Sequence, residues 1–310
     1  MVTIKTKPLT QCNVGSIADW LQFFRWGNCL TGLIGVFLGA IMVIEGIPSG
    51  NELQITTLLA ISVSSFMGSW NGLNDYVDVE IDKKNRPNRP LPSGRISMYS
   101  ARNVIVLMML TSFSSLLFAA SIAKTMTSDF STWYPTIAIW FLAIFLLVNY
   151  ESTGSFSMGL KDRGLPGNVA ISLSVGLVIL YGAAGVFDVT NPKALSLFFV
   201  GFLFNTAREI IKDVEDMVGD EGRNTLAMRI GPDKARLTAW VLLLLTMISL
   251  ILPFSLGVFE AKHIILIGPA LFVLMGVKKH IALAEDTAAS RQIKVSMTLA
   301  ILGLIATGFI

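Results

Sequence analysis

Two acidic runs are where this sequence could do chemistry. The first reads Asn74-Asp75-Tyr76-Val77-Asp78-Val79-Glu80-Ile81-Asp82. Asn74, Asp78 and Asp82 recur every four residues, a spacing that lines one face of a helix and leaves Asp75 and Glu80 directed elsewhere. In the second, Asp213, Asp216 and Asp220 again share one face, and Glu209 extends it by a turn. Stacked like charges weaken a helix by roughly 0.2–0.5 kcal/mol per i,i+4 pair and are costly beside apolar lipid, so a positive partner is required. Hard divalent cations take oxygen ligands, and Mg2+ commonly shares one or two carboxylates with substrate phosphates. Two histidines (His263, His280) and two cysteines (Cys12, Cys29) are too few for a soft metal cage or a disulfide framework. Two oxygen-only stripes therefore point to Mg2+ bridging a diphosphate. The competing reading is a pair of solvated helix ends, neutralised by Lys83, Lys84, Lys212 and Arg223. It is plausible for one stripe and poor for two at equivalent helix ends.

Basic residues flank both runs. After Asp82 comes Lys83-Lys84-Asn85-Arg86-Pro87-Asn88-Arg89-Pro90-Leu91-Pro92-Ser93-Gly94-Arg95. Its closely spaced prolines forbid a helix and push the residue before each into extended backbone. The resulting stiff loop keeps Arg86 and Arg89 near the first stripe, and arginine suits bidentate phosphate contact. Lys83 and Lys84 fit a purely topological role. Arg25 and Asn28, a turn apart early in the first apolar run, either snorkel to the interface or serve a cavity. Lys161 precedes a Gly164-Leu165-Pro166-Gly167 turn and is a further candidate for diphosphate.

The elements that must position these residues are membrane spans. The 310 residues are 53% hydrophobic and only 15% charged, with mean hydropathy +0.65, against about 25% charge in a soluble domain. A net charge of +3 gives no argument for nucleic acid. A ruler of roughly 20 apolar residues per span finds candidates near 20–44, 53–77, 99–123, 133–150, 167–187, 193–213, 236–258, 263–281 and 292–310. Nothing alternates like a barrel strand, and the first run is too long for a signal peptide. With this count, 21 of the 24 Lys and Arg fall on one side, leaving only Lys124, Lys193 and Lys262 opposite. The positive-inside bias places the N-terminus and both acidic stripes in the cytoplasm. The expectation is one all-α, polytopic domain over 1–310, nine transmembrane helices around a central cavity in the cell membrane.

Taken together, these residues resemble the UbiA superfamily of intramembrane prenyltransferases. Its first motif, Asn-Asp-x-x-Asp-x-x-x-Asp, stands here as Asn74, Asp75, Asp78 and Asp82; its second, Asp-x-x-x-Asp, as Asp216 and Asp220, preceded by Asp213. The order, the spacing and the nine-span layout all agree. One departure concerns the family's Tyr-x-x-x-Lys: Lys161 fits, but position 157 is Ser and Tyr150 lies eleven residues back from Lys161. The resemblance implies Mg2+-dependent transfer of a prenyl group from a prenyl diphosphate to a lipophilic acceptor. It implies Asn74, Asp78 and Asp82 on one Mg2+ and Asp216 and Asp220 on a second, with Asp213 orienting metal or acceptor. Arg86, Arg89 and Lys161 fall to the diphosphate; Arg25 and Asn28 fall to the diphosphate or an acceptor headgroup, and Lys212 to substrate binding. The flanks, Asn85–Ser97 and Ala207–Asp216 with Asn224-Thr225-Leu226, look most like an archaeal lipid-synthesis branch. That branch implies geranylgeranyl diphosphate as donor and geranylgeranylglyceryl phosphate as acceptor. An aromatic acceptor of quinone, chlorophyll or haem synthesis is the alternative. A cation transporter fits less well, because transporters hold ionisable residues near the midplane on broken helices.

Overall fold

Apolar stretches this long leave the backbone in lipid with no partner but itself, so they fold as helices. The computed structural model describes residues 15–151, 157–217 and 224–308. The helices are α1 (Ile17–Phe23), α2 (Trp26–Ile44), α3 (Gly50–Val77), α4 (Val79–Asn85), α5 (Met98–Met126), α6 (Tyr134–Glu151), α7 (Leu165–Gly185), α8 (Pro192–Glu215), α9 (Leu226–Ile230), α10 (Pro232–Ser255), α11 (Gly268–Ala282) and α12 (Asp286–Thr307). Among the described residues there is no strand, and nine helical segments are long and apolar enough to cross a membrane.

Two expected boundaries are corrected. The first run is not one helix from 20. It is interrupted at Arg25, whose φ of +53° separates α1 from α2, so Arg25 stands outside the helix that carries Asn28. The last span begins at Asp286 and not at 292, because an acidic first turn suits a helix N-terminus; positions 309 and 310 lie outside the described residues.

The described residues form two units. One comprises 15–31 and 61–114. Its core is Phe23, Leu91, Ile96, Ala101 and Ile105, with Trp20, Phe24, Leu73 and Tyr76 against it. This core locks the loop after α4: Leu91 and Ile96 are buried, and the Ile96 amide donates to the Pro90 carbonyl at 3.1 Å. Arg95 ties the same loop to α1, donating to Asp19 at 2.5 Å and to the Gln22 side chain at 3.2 Å. Asp19 also closes a capping box with Ser16. The Ser16 hydroxyl and amide, followed by the Arg95 charge, hold its carboxyl below the usual range.

The other unit comprises 32–60 and 115–308. Here α8 packs against α7, α10 and α12, around Phe204, Ile210, Ile211, Leu243 and Ile293. Without hydrophobic drive between helices in lipid, close approach depends on small residues. Gly39 of α2 lies on the Ile179 carbonyl, and Gly182 of α7 on the Val36 carbonyl, so α2 and α7 meet backbone to backbone.

Candidate functional site

The first stripe sits where α3 passes into α4. Asp78 leaves the helical basin only slightly, at φ −86° and ψ 10°. Its amide still donates to the Asn74 carbonyl (3.0 Å), and its own carbonyl accepts from the Asp82 amide (2.8 Å). The bend therefore preserves the one-turn spacing of Asn74, Asp78 and Asp82. The Asn74 amide group reaches the Asp78 carboxylate at 3.5 Å.

Asp75 does not point away from this set. It is buried, and its Oδ1 accepts from Arg25 Nη2 at 2.7 Å and Arg89 Nη1 at 2.9 Å. Arg25 Nη2 also donates to Asn74 Oδ1 at 3.1 Å, and Arg89 Nη1 to Asp82 Oδ2 at 2.6 Å. The fold thus gathers Arg25, Asn74, Asp75, Asp82 and Arg89. Sequence reasoning omitted Asp75 from the site. The missed signal was its seven-residue spacing to Asp82, which is two helical turns and places both on one side. Arg86 caps α4, its amide donating to the Asp82 carbonyl at 2.8 Å. Asn28 is half-buried and its side chain makes no hydrogen bond among the described residues.

In the second stripe, α8 runs to Glu215 and Asp216 caps it, its amide donating to the Lys212 carbonyl at 2.8 Å. Asp213 accepts from Asn168 Nδ2 at 2.9 Å. Asn168 lies in the first turn of α7 and is held by a buried ladder. Ser172 Oγ donates to the Asn168 carbonyl (2.5 Å) and accepts from Asn205 Nδ2 (3.2 Å). Asn168, the residue after the Gly164–Gly167 turn, was given no role in the sequence. Glu209 is occupied by its own helix, accepting from Lys212 at 3.0 Å and Arg208 at 3.1 Å. Lys161 Nζ is held by both oxygens of Glu151, at 3.2 and 3.0 Å. Ser157, at the family's tyrosine position, donates to the Val148 carbonyl at 3.2 Å and accepts from the Gly159 amide at 3.2 Å, a turn-closing role. Asp220 and Arg223 lie outside the described residues.

Among the described residues no three His, Cys, Asp or Glu side chains gather as a ready metal cage. The donors in each stripe are carboxylate and amide oxygens, which suits Mg2+: it dehydrates reluctantly and completes its shell from water and substrate phosphates. Lys83 pairs with Glu80 (2.5 Å) on the exposed side of α4, which accords with a topological role.

Residues 32–302 match the UbiA prenyltransferase family. The digeranylgeranylglyceryl phosphate synthase of Methanosarcina mazei is 34% identical, over 94% of this chain and 98% of the relative. That of Thermococcus kodakarensis is 35% identical, over 77% of this chain and 78% of the relative. Among solved structures, one described as giving structural and mechanistic insights into digeranylgeranylglyceryl phosphate synthase in membranes superposes with TM-score 0.67 at 25% identity, covering 94% of this chain and 98% of that one. A UbiA homolog from Archaeoglobus fulgidus bound to GPP and Mg2+ superposes with TM-score 0.64 at 16% identity, covering 94% of this chain and all of that one.

Proposed function

We propose substrates and residue roles for a chain that belongs to the UbiA prenyltransferase family and is, with it, a multi-pass intramembrane prenyltransferase. The donor is geranylgeranyl diphosphate and the acceptor geranylgeranylglyceryl phosphate. The observation that carries this reading is the 34% identity to a digeranylgeranylglyceryl phosphate synthase along almost the whole of both chains. Over 1–310 the chain acts as one prenyltransferase domain, its acidic stripes facing the cytoplasm; the Lys and Arg bias supports that orientation.

Breaking the bond between the allylic carbon and the diphosphate oxygen leaves charge on both fragments, and the site's residues must meet each. Bound Mg2+ supplies charge neutralisation for the departing diphosphate. In the first unit Asn74, Asp78 and Asp82 would hold one ion; in the second, Asp216 and Asp220 would hold another. Arg25, Asn28, Arg86, Arg89, Lys161 and Lys212 supply donors for diphosphate or acceptor phosphate. Such pre-aimed donors act most strongly where water is excluded. Asp213, fixed by Asn168, orients metal or acceptor. An acceptor phosphate of about −2 charge needs cations of its own, and Arg208 and Lys212, a turn apart on α8, are suited to it. The test is an assay in membranes of labelled prenyl diphosphates against glycerol-ether phosphates and aromatic acids. Transfer to the glycerol ether is expected. Transfer only to a hydroxybenzoate or naphthoate would replace the acceptor while keeping the reaction type.

A further inference from the structure

Arg25 is one of four described non-glycine residues with a left-handed φ. Glu45, Phe187 and Ala284 each follow the end of a helix, where that conformation is ordinary. Arg25 likewise follows the cap of a helix, α1, but a second helix, α2, starts at the very next residue, so the surroundings must fix the direction of the turn. They do so here. Asn71 Nδ2 donates to the Phe24 carbonyl at 2.9 Å, and Ser64 Oγ to the Cys29 carbonyl at 3.2 Å. The rings of Phe23 and Phe24 sit against Gly72 and Gly68 of α3. The outcome of all this fixing is one placement: the Arg25 guanidinium on Asn74 and Asp75. The proline-rich loop, braced by Arg95, delivers Arg89 to the same oxygen of Asp75.

That oxygen, Asp75 Oδ1, accepts two guanidinium N–H donors, and a carboxylate oxygen has two lone pairs to offer. A metal bonded there would have to displace them. The two Nη atoms can be no farther apart than the two hydrogen bonds laid end to end, a separation at which unshielded guanidinium groups would repel. Each arginine spends only one Nη on these bonds; Nε and the other Nη of each make no hydrogen bond among the described residues. Both side chains remain partly accessible, Arg25 at 34% and Arg89 at 19%.

We infer that Asp75 is a positioning residue and not a metal ligand: it pins Arg25 and Arg89 side by side so that their remaining N–H donors grip one diphosphate. The inference rests on the prenyl diphosphate reading above. It divides the first motif by role, with Asp75 acting through arginines and Asp78 acting on metal.

The sign of one effect separates this from its rivals. Removing a negative charge beside an anion site should, by electrostatics alone, tighten anion binding. Loss of a pin should loosen it. Full-length protein in nanodiscs is compared as wild type, Asp75→Asn, Asp78→Asn, Arg89→Gln and Asp75→Asn/Arg89→Gln. Donor KM is measured, and Mn2+ binding with inorganic diphosphate is read by electron paramagnetic resonance. Asp75→Asn is expected to raise donor KM roughly tenfold, to leave acceptor KM and Mn2+ affinity within about threefold, and to be no worse when combined with Arg89→Gln, as for residues acting as a unit. Asp78→Asn is expected to weaken Mn2+ by roughly tenfold or more. Equal weakening of Mn2+ by Asp75→Asn makes it a ligand and overturns the inference; so does an unchanged or lowered donor KM. If wild type binds no diphosphate, the substrate reading falls and the pin with it. Should Asp75→Asn not fold, Arg25→Lys and Arg89→Lys keep the charge but lose the fork. An unchanged donor KM in both would equally overturn it.

Discussion

Replacing Asn168 by Ala should separate activity from stability, and the size of each effect can be worked from the contacts. Asn168 Nδ2 donates to the Asp213 carboxylate at 2.9 Å, and the other end of the amide, Oδ1, is buried with no hydrogen-bond partner among the described residues. The amide's orientation follows from chemistry, since a flipped group would set oxygen against carboxylate. A hydrogen bond to a charged group is worth about 1.5–3 kcal/mol, and an unsatisfied buried acceptor costs about 1–3 kcal/mol. Truncation to Ala removes both together, so the folded state should change by no more than about 2 kcal/mol. The orientation of Asp213 has no such compensation. If all of that bond is used in placing the carboxylate, kcat falls by about 10- to 150-fold, at roughly 1.4 kcal/mol per decade. Single-turnover transfer with both substrates saturating measures the rate, and tryptophan-monitored thermal unfolding measures the fold. Unchanged kcat, or loss of rate and of unfolding temperature in step, would refute the reasoning. Asn168→Asp should be worse than Ala, because it sets two carboxylates in contact.

Three further outcomes are expected. Asp78→Asn, or exhaustive chelation of the wild type, should abolish transfer while the unfolding transition persists; wild-type turnover in excess chelator would sink the metal reading of both stripes. A cysteine placed at Ser93 should react with an impermeant maleimide only from the cytoplasmic face and one at Asn51 only from the other, and labelling of both from one face would mean that α3 does not cross. Gly182→Val should lower stability by about 1–3 kcal/mol and depress the unfolding temperature, because the new Cβ meets the backbone carbonyl of Val36 and not a side chain that could turn aside; full tolerance would refute backbone contact between α2 and α7.

What the sequence showed of this protein was what depends on period and length. The spans came from run length, because lipid makes helix the only available partner for their backbone. The first stripe came from a four-residue repeat, and the repeat survives the bend at Asp78 because the backbone bonds on either side of it are kept. The proline spacing excluded a helix after Asn85, and none is there. The break at Arg25 had no such signal. Nothing in Phe23-Phe24-Arg25-Trp26 is a turn former, and the break is imposed from α3 through Asn71, Gly68 and Gly72, residues some 45 positions away in the chain.

Partner choice was hidden for the same reason. Periodicity tells which side chains share a face but not which cations arrive on it. Arg89 and Lys161 were grouped in the sequence as donors for diphosphate, yet the fold treats them differently. Arg89 is shared between two buried carboxylates of the stripe. Lys161 is held by both oxygens of Glu151, at the end of the helix that precedes its own loop. An incoming phosphate must therefore compete with Glu151 for Lys161, whereas at Arg89 it meets donors that Asp75 leaves unspent. Two basic residues that look equivalent in the sequence thus differ in what a substrate must displace, and only the pairing reveals it.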